Sequence, residues 1–144
     1  MEKSGRAVAI TKQLSANDTG DTGGHQAGIL VPKIARILSF FPPLDSSQKN
    51  PRHHLTFYDR SDAKWVFAFI YYNNAFFGGT RNEYRLTRMT AYIRENGLNP
   101  GDELLLRRDD QSGRYSINYK RARTLNWTPD RVLKLGTSWK EIKL

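Results

Sequence analysis

Short runs in which apolar and polar residues alternate dominate the chain, and clusters of glycine, proline, asparagine, aspartate and serine separate them. Alternation of this kind is typical of half-buried β-strands, because successive side chains of a strand point to opposite faces. Turn-forming residues at 59–62 and at 109–113 each predict a hairpin between two such runs. The pattern predicts strands at 6–14, 29–31, 54–58, 65–72, 103–107, 114–120, 132–135 and 139–144.

Two segments instead have apolar residues three or four positions apart, which is the spacing of an amphipathic helix. The first, 33–40, is ended by Pro42, which cannot continue a helix. The second, 88–96, has Thr87 in the position of an N-cap and Gly97 as its stop signal. The sequence therefore predicts two short helices.

About seven or eight short strands with frequent turns predict a β-barrel or a β-sandwich. The two helices fit best at the open ends of a barrel. The length of 144 residues suits one hydrophobic core, and neither an internal repeat nor a linker interrupts the chain. We therefore expect a single, mostly β domain over residues 1–144.

Four aromatic residues alternate along one predicted strand: Trp65, Phe67, Phe69 and Tyr71. Side chains two positions apart lie on the same face of a strand, so these rings are expected to fill the core from one side. The alternative is a stacking platform for the bases of a single-stranded nucleic acid. The core assignment is the favoured interpretation.

The net charge of +9 is the strongest compositional signal. A basic excess of this size favours polyanionic partners, because lysine and arginine displace counterions from phosphates. Most of the excess lies in residues 73–144 and is arginine, whose planar fork binds guanine edges and phosphates. No apolar run approaches the ~20 residues of a membrane span. We therefore expect a cytoplasmic protein that binds nucleic acid and no membrane.

Catalytic and cofactor motifs are sparse. The chain has no cysteine, which excludes disulfides and thiolate zinc sites. The adjacent residues His53 and His54 would point to opposite faces of a strand, so they are poorly placed to share a metal. The sequence contains neither a G-x-S-x-G elbow nor a phosphate-binding G-K-[ST] loop. We expect no catalytic site, no metal and no cofactor.

One pattern supports an alternative function. Pro129 and Asp130, followed by Glu141 and Lys143, match the PD…ExK pattern of metal-dependent nucleases. Two carboxylates would hold Mg²⁺ there, with the lysine beside the attacking water. In a chain in which 26% of the residues are charged, so short a match arises readily by chance. A small magnesium-dependent nuclease therefore remains the rival hypothesis.

Two polar loops contain the side chains that read base edges in DNA. The first spans 12–25, and the second spans 73–88 and includes the run Arg81-Asn82-Glu83-Tyr84-Arg85. Arginine pairs with guanine, asparagine with adenine, and glutamate with the cytosine amino group. The alternatives are that both loops are only solvated turns, and that Glu83 forms a salt bridge that orients Arg81 or Arg85.

These two loops resemble a known family. The stretches LSANDTGDTGGHQAG (14–28) and YYNNAFFGGTRNEYRLTR (71–88) look very similar to the two signature stretches of the N-terminal effector domain of EcoRII-type restriction endonucleases. The stretch LTRMTAYIRENGLNPGDELLLRR (86–108) is similar to the closing helix and strand of the plant B3 DNA-binding domain, which has the same fold. The two resemblances therefore agree.

The resemblance implies a seven-stranded open pseudobarrel with two short helices at its ends. Such a domain grips the major groove with an N-arm, here residues 12–28, and a C-arm, here residues 73–88. Its expected partners are double-stranded DNA, within which it recognises half of a 5′-CCWGG site, and a covalently linked nuclease domain that it regulates allosterically. The chain itself would be non-catalytic. A transcription regulator of the same fold is the other reading.

The resemblance also nominates DNA-contacting residues. His25, Arg81, Asn82, Glu83 and Arg85 match the family's motif position by position, whereas Gly79 and Tyr84 replace lysines and Leu30 replaces a tyrosine. Lys12, Arg88 and the basic cluster at 120–123 are expected to hold the DNA backbone. The full predicted set is Lys12, Gln13, Ser15, Asn17, Asp18, His25, Asn73, Asn74, Arg81, Asn82, Glu83, Tyr84, Arg85, Arg88 and Lys120.

Overall fold

The computed structural model describes residues 7–20, 28–122 and 138–142, and within them the chain is mostly β. The strands are β1 (Ala7–Gln13), β2 (Ile29–Val31), β3 (Arg52–Tyr58), β4 (Lys64–Tyr72), β5 (Glu83–Thr87), β6 (Glu103–Asp109), β7 (Arg114–Lys120) and β8 (Trp139–Ile142). The helices are α1 (Ala16–Thr19), α2 (Ala35–Leu38) and α3 (Thr90–Glu95), and a 3-10 turn covers Asn74–Phe77.

The described strands form one sheet in the order β2-β5-β4-β3-β7-β6-β1-β8. Neighbours pair antiparallel except β3 and β7, which run parallel over the short register from Phe57 opposite Tyr115 to Tyr58 opposite Ser116. The sheet curls until its two edge strands meet, where the indole Nε1 of Trp139 in β8 donates a hydrogen bond to the carbonyl oxygen of Leu30 in β2, at 2.9 Å. The fold is thus an open pseudobarrel.

The interior of the curled sheet is aromatic. Phe67 and Phe69 are each 1% exposed, and Phe41, from the segment after α2, stacks on Phe69 with ring centroids 4.3 Å apart. Tyr92 of α3 packs edge-on against Trp65 at 5.1 Å. Burying each such side chain stabilises the fold by roughly 1.5–3 kcal/mol. The predicted assignment of the alternating aromatics to the core is confirmed.

The strand count and the loops differ in detail from the prediction. The sheet has eight strands in the described residues, whereas the family resemblance implies seven. The sequence pattern placed 83–87 in a polar loop, but Glu83–Thr87 forms β5 because it pairs with β4 on one side and β2 on the other. Both arms also contain a helical turn, α1 in the N-arm and the 3-10 turn in the C-arm, where composition indicated only loop. The predicted strand at 132–135 lies outside the described residues.

The predicted helix start at Thr87 is wrong. Thr87 is the last residue of β5, and its hydroxyl donates to the carbonyl oxygen of Ala68 in β4 at 3.1 Å. Arg88 then takes a positive φ of 67°, which turns the chain, and Met89 occupies the N-cap position of α3 without a side-chain hydrogen bond. Thr87 has a side chain that suits an N-cap, but its pairing within the sheet makes it part of β5 instead.

None of the helices in the described ranges is long and apolar enough to cross a membrane.

Candidate nucleic-acid interface

The C-arm is anchored at its root by the side chain of Asn73, which is completely buried. Its Oδ1 accepts a hydrogen bond from the backbone N–H of Asn50 at 2.8 Å. Its Nδ2 donates to the carbonyl oxygens of Gln48 at 2.7 Å and Ser46 at 3.2 Å. Three such bonds within the protein hold the arm to the segment before β3, so Asn73 positions the arm from inside the fold.

Beyond Asn73 the C-arm folds into a compact tip. The backbone N–H of Ala75 donates to the carbonyl oxygen of Arg81 at 2.8 Å, which closes the tip onto the strand that follows. Gly78 has a φ of 93°, a left-handed conformation that favours glycine. The side chains of Phe76 and Phe77 at this tip are 67% and 45% exposed. The arm is therefore a structured projection with an apolar end.

Glu83 links two arginines at the start of β5. Its Oε2 accepts from Nε of Arg85 at 2.7 Å and from Nε of Arg81 at 3.1 Å. Arg85 also donates through Nη1 to the carbonyl oxygen of Gly28, at 2.9 Å. Partial burial raises the pKa of Glu83, but the hydrogen bonds and charges of Arg85 and Arg81 outweigh it, so the net pKa is lowered. The salt-bridge alternative is thus present with both arginines, and base reading by Glu83 stays a prediction.

Aromatic rings pack against the residues of this cluster. The guanidinium of Arg81 lies over the ring of Tyr72 at 3.9 Å from its centroid. Tyr84 stacks on Tyr71 at 4.2 Å, and the hydroxyl of Tyr71 donates to Oδ1 of Asn82 at 2.7 Å. Burial, followed by the neighbouring Tyr71, raises the pKa of Tyr84. Tyr84 is therefore part of the aromatic stack, whereas Arg81 contacts the ring of Tyr72 and Asn82 contacts the hydroxyl of Tyr71 through their polar groups.

Pairing across the sheet shows which residues share the face of Arg85. Directly paired residues lie on the same face, and the register aligns Leu30, Arg85, Ile70 and Arg52 in one row across β2, β5, β4 and β3. Arg52 is exposed at the end of this row. The sequence pattern missed Arg52 because the predicted strand begins only at residue 54. Alternation gives no signal at the start of β3, because Arg52, His53 and His54 are all polar and exposed, and only the pairing with β4 identifies Arg52 as a strand residue.

The described part of the N-arm is organised by a capping box. The hydroxyl of Ser15 accepts from the backbone N–H of Asp18 at 3.1 Å, and Asp18 Oδ2 accepts from the backbone N–H of Ser15 at 2.9 Å. Lys12 forms an ion pair with Asp18 at 2.9 Å, and both side chains are 8% exposed. The Lys12 ammonium also donates to the carbonyl oxygen of Gln13 and to the hydroxyl of Ser138, each at 3.0 Å. Lys12, at the end of β1, is thus bound to α1 and to Ser138, the residue before β8.

A groove of about 450 Å³ joins the two arms. Both arms contribute, since α1 and its N-cap from the N-arm and Arg85 from the C-arm line it, together with Trp139, which links the edge strands of the pseudobarrel. The lining residues are Lys12, Ser15, Asn17, Asp18, Leu30, Pro32, Arg85 and Trp139. The structure therefore brings together residues of 12–18 and 85 that are about seventy positions apart in the chain.

Other predicted contact residues lie around this centre. Gln13 is exposed at the end of β1, in a row with Glu103 and Lys120, so the exposed Lys120 is two strands, or roughly 10 Å, away from it. Arg88 is exposed between β5 and α3, and Asn74 is half-buried in the 3-10 turn. His25 lies outside the described residues, as do Asp130 and Lys143 of the rival nuclease pattern, while Glu141 is exposed in β8.

The sequence profile of the family described as "Restriction endonuclease EcoRII, N-terminal" matches residues 3–103. The chain belongs to this family. The match covers both arms and the strands that carry them, β1, β2, β4 and β5.

Two individual proteins are similar to parts of this chain. Over 82 residues the chain is 43% identical to the type II restriction enzyme EcoRII of Escherichia coli, which is 54% of this chain and 20% of that enzyme. Over 124 residues it is 31% identical to auxin response factor 4 of Arabidopsis thaliana, which is 85% of this chain and 14% of that protein. The matched stretches thus span a fifth or less of the length of these relatives.

A solved structure shows the same fold. The protein of the Arabidopsis FUS3-DNA complex superimposes with a TM-score of 0.61 at 21% sequence identity, over 78% of this chain and 96% of that one. At this identity the likeness concerns the fold alone. It confirms the predicted mostly β, open pseudobarrel in this member of the EcoRII N-terminal family.

Proposed function

We propose that this chain is a sequence-specific effector domain that binds double-stranded DNA in the major groove and reads half of a 5′-CCWGG site, where W is A or T. The observation that carries the proposal is the Arg81–Glu83–Arg85 cluster, whose Arg85 lines a groove to which both arms contribute. Membership in the EcoRII N-terminal family and the net charge of +9 support it.

The cluster has hydrogen-bonding capacity left for bases. Both arginines bind Oε2 of Glu83, and Oε1 makes no hydrogen bond within the described residues. Oε1 can therefore accept from the amino group of cytosine while the arginines donate to O6 and N7 of guanine. The Arg81 side chain is 39% exposed against 18% for Arg85, so Arg81 is the more accessible of the two.

Glu83 has a second role in this proposal. A carboxylate facing DNA opposes the phosphates electrostatically, so its presence fits recognition of specific bases better than general attraction. By binding the Nε atoms it also fixes the orientation of two long side chains before DNA arrives. Such pre-organisation lowers the entropy lost on binding.

Backbone contacts are assigned to exposed basic residues of the sheet. Arg52, Arg88 and Lys120 are exposed, and they lie on β3, directly after β5 and at the end of β7. Lys12 and Asn73 are assigned to positioning the two arms, because their polar atoms bind other parts of the protein. Contacts of Arg52, Arg88 and Lys120 with phosphates would supply affinity without sequence information.

We further propose that residues 1–144 act as one non-catalytic domain whose DNA binding regulates a covalently linked nuclease domain. The support is the family membership together with the share of the matched enzyme, since only 20% of EcoRII is covered by the match. A transcription regulator of the same fold is the second candidate, favoured by the 31% identity to auxin response factor 4. Stimulation of a linked nuclease by a second 5′-CCWGG duplex would separate the two.

The test is fluorescence anisotropy of the purified chain with a 5′-CCWGG duplex and with a scrambled duplex of equal composition, across a salt series. We expect a preference of ~10³-fold or more for 5′-CCWGG, in the range of specific DNA-binding proteins. Equal affinity for both duplexes, with the same steep salt dependence, would refute sequence-specific recognition.

A further inference from the structure

The two phenylalanines at the tip of the C-arm are exposed although most large apolar side chains of the described residues are in the core. Phe76 is 67% exposed and Phe77 is 45% exposed, and among the described residues no other large apolar side chain is as exposed as Phe76. Neither ring packs against another aromatic ring within the described ranges. Apolar surface left in water is unfavourable, and adjacent exposed phenylalanines indicate a contact surface.

The tip holds these two rings away from the core. Asn73 anchors its base with three hydrogen bonds, and the N–H of Phe76 donates to the carbonyl oxygen of Asn73 at 3.0 Å. The N–H of Gly79 donates to the carbonyl oxygen of Asn74 at 2.8 Å, which closes the turn on its other side. The rings are therefore presented on a structured loop, so little conformational entropy is lost when they make a contact.

The same tip adjoins the residues assigned to base reading. The hydrogen bond from Ala75 N–H to the Arg81 carbonyl oxygen places the turn directly beside Arg81. A duplex whose guanine is bound by Arg81 therefore lies within reach of Phe76 and Phe77. The apolar group that DNA offers in its major groove is the C5-methyl of thymine, and phenylalanine is among the side chains that contact it.

We propose that Phe76 and Phe77 contact thymine C5-methyl groups in or beside the bound site. The domain would then read A·T pairs through an apolar contact, in addition to reading G·C pairs through hydrogen bonds. The central W pair of 5′-CCWGG places a thymine on one strand or the other, so a methyl group is present in both orientations. This inference rests on the proposed function and names the residues that extend its specificity.

Replacement of thymine by uracil removes only the methyl group, which makes the test specific. Anisotropy is measured with duplexes that carry uracil at the central pair and, separately, at flanking positions. We expect uracil at the contacted position to weaken binding by the native chain about fourfold, the effect of one buried methyl group. The double variant F76A/F77A should bind the thymine duplex about tenfold more weakly, and the thymine and uracil duplexes equally.

The control variant is Val66→Ala, which removes a side chain that is 48% exposed on β4, away from the arm. It should retain the native thymine-to-uracil ratio, and thermal unfolding should show that all variants are folded. If uracil affects the native chain and F76A/F77A equally, or neither, the methyl contact is refuted while the 5′-CCWGG preference still supports the proposed function. If F76A/F77A also binds DNA as tightly as the native chain, the rings face a protein partner. If the native chain has no preference for 5′-CCWGG, both proposals fail together.

Discussion

At the scale of single residues, one carboxylate organises the proposed interface. Glu83 Oε2 accepts hydrogen bonds from two arginines, and Arg81 additionally lies on the ring of Tyr72. The two interpretations of the Arg-Asn-Glu-Tyr-Arg run, base reader and salt bridge, are therefore compatible, because the salt bridges use one oxygen of the carboxylate. An arginine held in this way offers its remaining donors in a defined direction.

Arg81→Ala should reduce specificity, whereas Lys120→Ala should reduce affinity for all sequences. A bidentate contact to guanine is worth ~1–3 kcal/mol, so we expect the ratio of specific to random affinity to fall by about 5-fold to 150-fold in Arg81→Ala. The loss of one phosphate contact by Lys120 should leave that ratio unchanged and reduce the salt slope by about 1. Anisotropy with both duplexes over a salt series measures both effects. An unchanged ratio in Arg81→Ala would exclude it as a base reader.

At the scale of elements, each arm is built from a short turn whose stability comes from side-chain caps and from contacts with a strand. The capping box of Ser15 and Asp18 stabilises a helix of only four residues, which would not form alone. The end of the N-arm is fixed differently. Gly28 lies against β5 with a φ of 96°, and its carbonyl oxygen accepts from Arg85. The last residue of the N-arm, Gly28, is therefore hydrogen-bonded to Arg85 of the C-arm.

Gly28→Ala should lower the free energy of unfolding more than Gly20→Ala does. A Cβ at position 28 would lie 2.6 Å from the carbonyl oxygen of Leu86, and alanine is disfavoured at positive φ. Gly20→Ala is the matched control, because Gly20 has a φ of 85° but nothing within 4 Å of its Cβ position. We expect urea unfolding to show a loss of ~1–2 kcal/mol for Gly20→Ala and ~1–3 kcal/mol more for Gly28→Ala. Equal losses would show that the close approach to β5 is absent.

The hairpin between β3 and β4 should carry an acid-dependent share of the stability. Asp59 accepts hydrogen bonds from the Trp65 indole at 2.9 Å and from the Ser61 hydroxyl at 2.7 Å. These bonds, led by that of Trp65, lower the pKa of Asp59 to about 2 from 3.8. A depressed pKa in the folded state means that the contribution is full above the unfolded value of 3.8 and is lost as the pH falls through about 2.

Asp59→Asn should therefore lower the melting temperature at pH 7, and its difference from the native chain should shrink between pH 4 and pH 2. The control is Asp62→Asn in the same turn, whose side chain is 83% exposed and makes an exposed ion pair with Arg114. Exposed ion pairs contribute little, so this control should change the melting temperature only slightly at any pH. A difference for Asp59→Asn that does not depend on pH would contradict the assignment.

At the scale of the whole molecule, a side chain links the two edge strands of the pseudobarrel, β2 and β8, between which the described residues form no strand ladder. Trp139 of β8 is 7% exposed, and its indole binds the carbonyl oxygen of Leu30 in β2. The same closure places Ser138 against Lys12, which ties the N-arm to β8. The groove between the arms is therefore bounded by residues from β1, β2, β5 and β8.

Trp139→Phe should weaken this closure while keeping an aromatic ring in the interior. Loss of the donor leaves the Leu30 carbonyl oxygen without this partner, and because Leu30 is half-exposed and water can replace the donor, the cost is that of an ordinary hydrogen bond, about 0.5–1.5 kcal/mol. We expect urea unfolding to show a decrease of that size and specific DNA binding to weaken, because Arg85 and Leu30 line the same groove. Native affinity together with native stability would show that the indole bond is dispensable.

Alternation of apolar and polar residues predicts most of the described strands, because it reports which face of each strand is buried, but it missed β5, whose residues lie in a polar run. The sequence also predicted the interior position of Phe67 and Phe69 and the two polar loops, since those depend on residue type and local spacing, whereas the assignment of the loops as two DNA-gripping arms came from the family resemblance. The quoted motifs sufficed to identify the family. Thr87 shows where local reasoning failed, because its hydroxyl binds Ala68 in a neighbouring strand that no local pattern reveals.

Which polar residues are available to a partner depends on tertiary contacts between distant parts of the chain. Lys12 and Asn73 have the same side-chain chemistry as base and phosphate readers, yet their polar atoms bind Asp18 and the backbone before β3. Arg52 joins the row of Arg85 because four strands pair in one register. The physical reason is that exposure and hydrogen-bond partners arise from residues distant in the chain, so local periodicity carries no record of them.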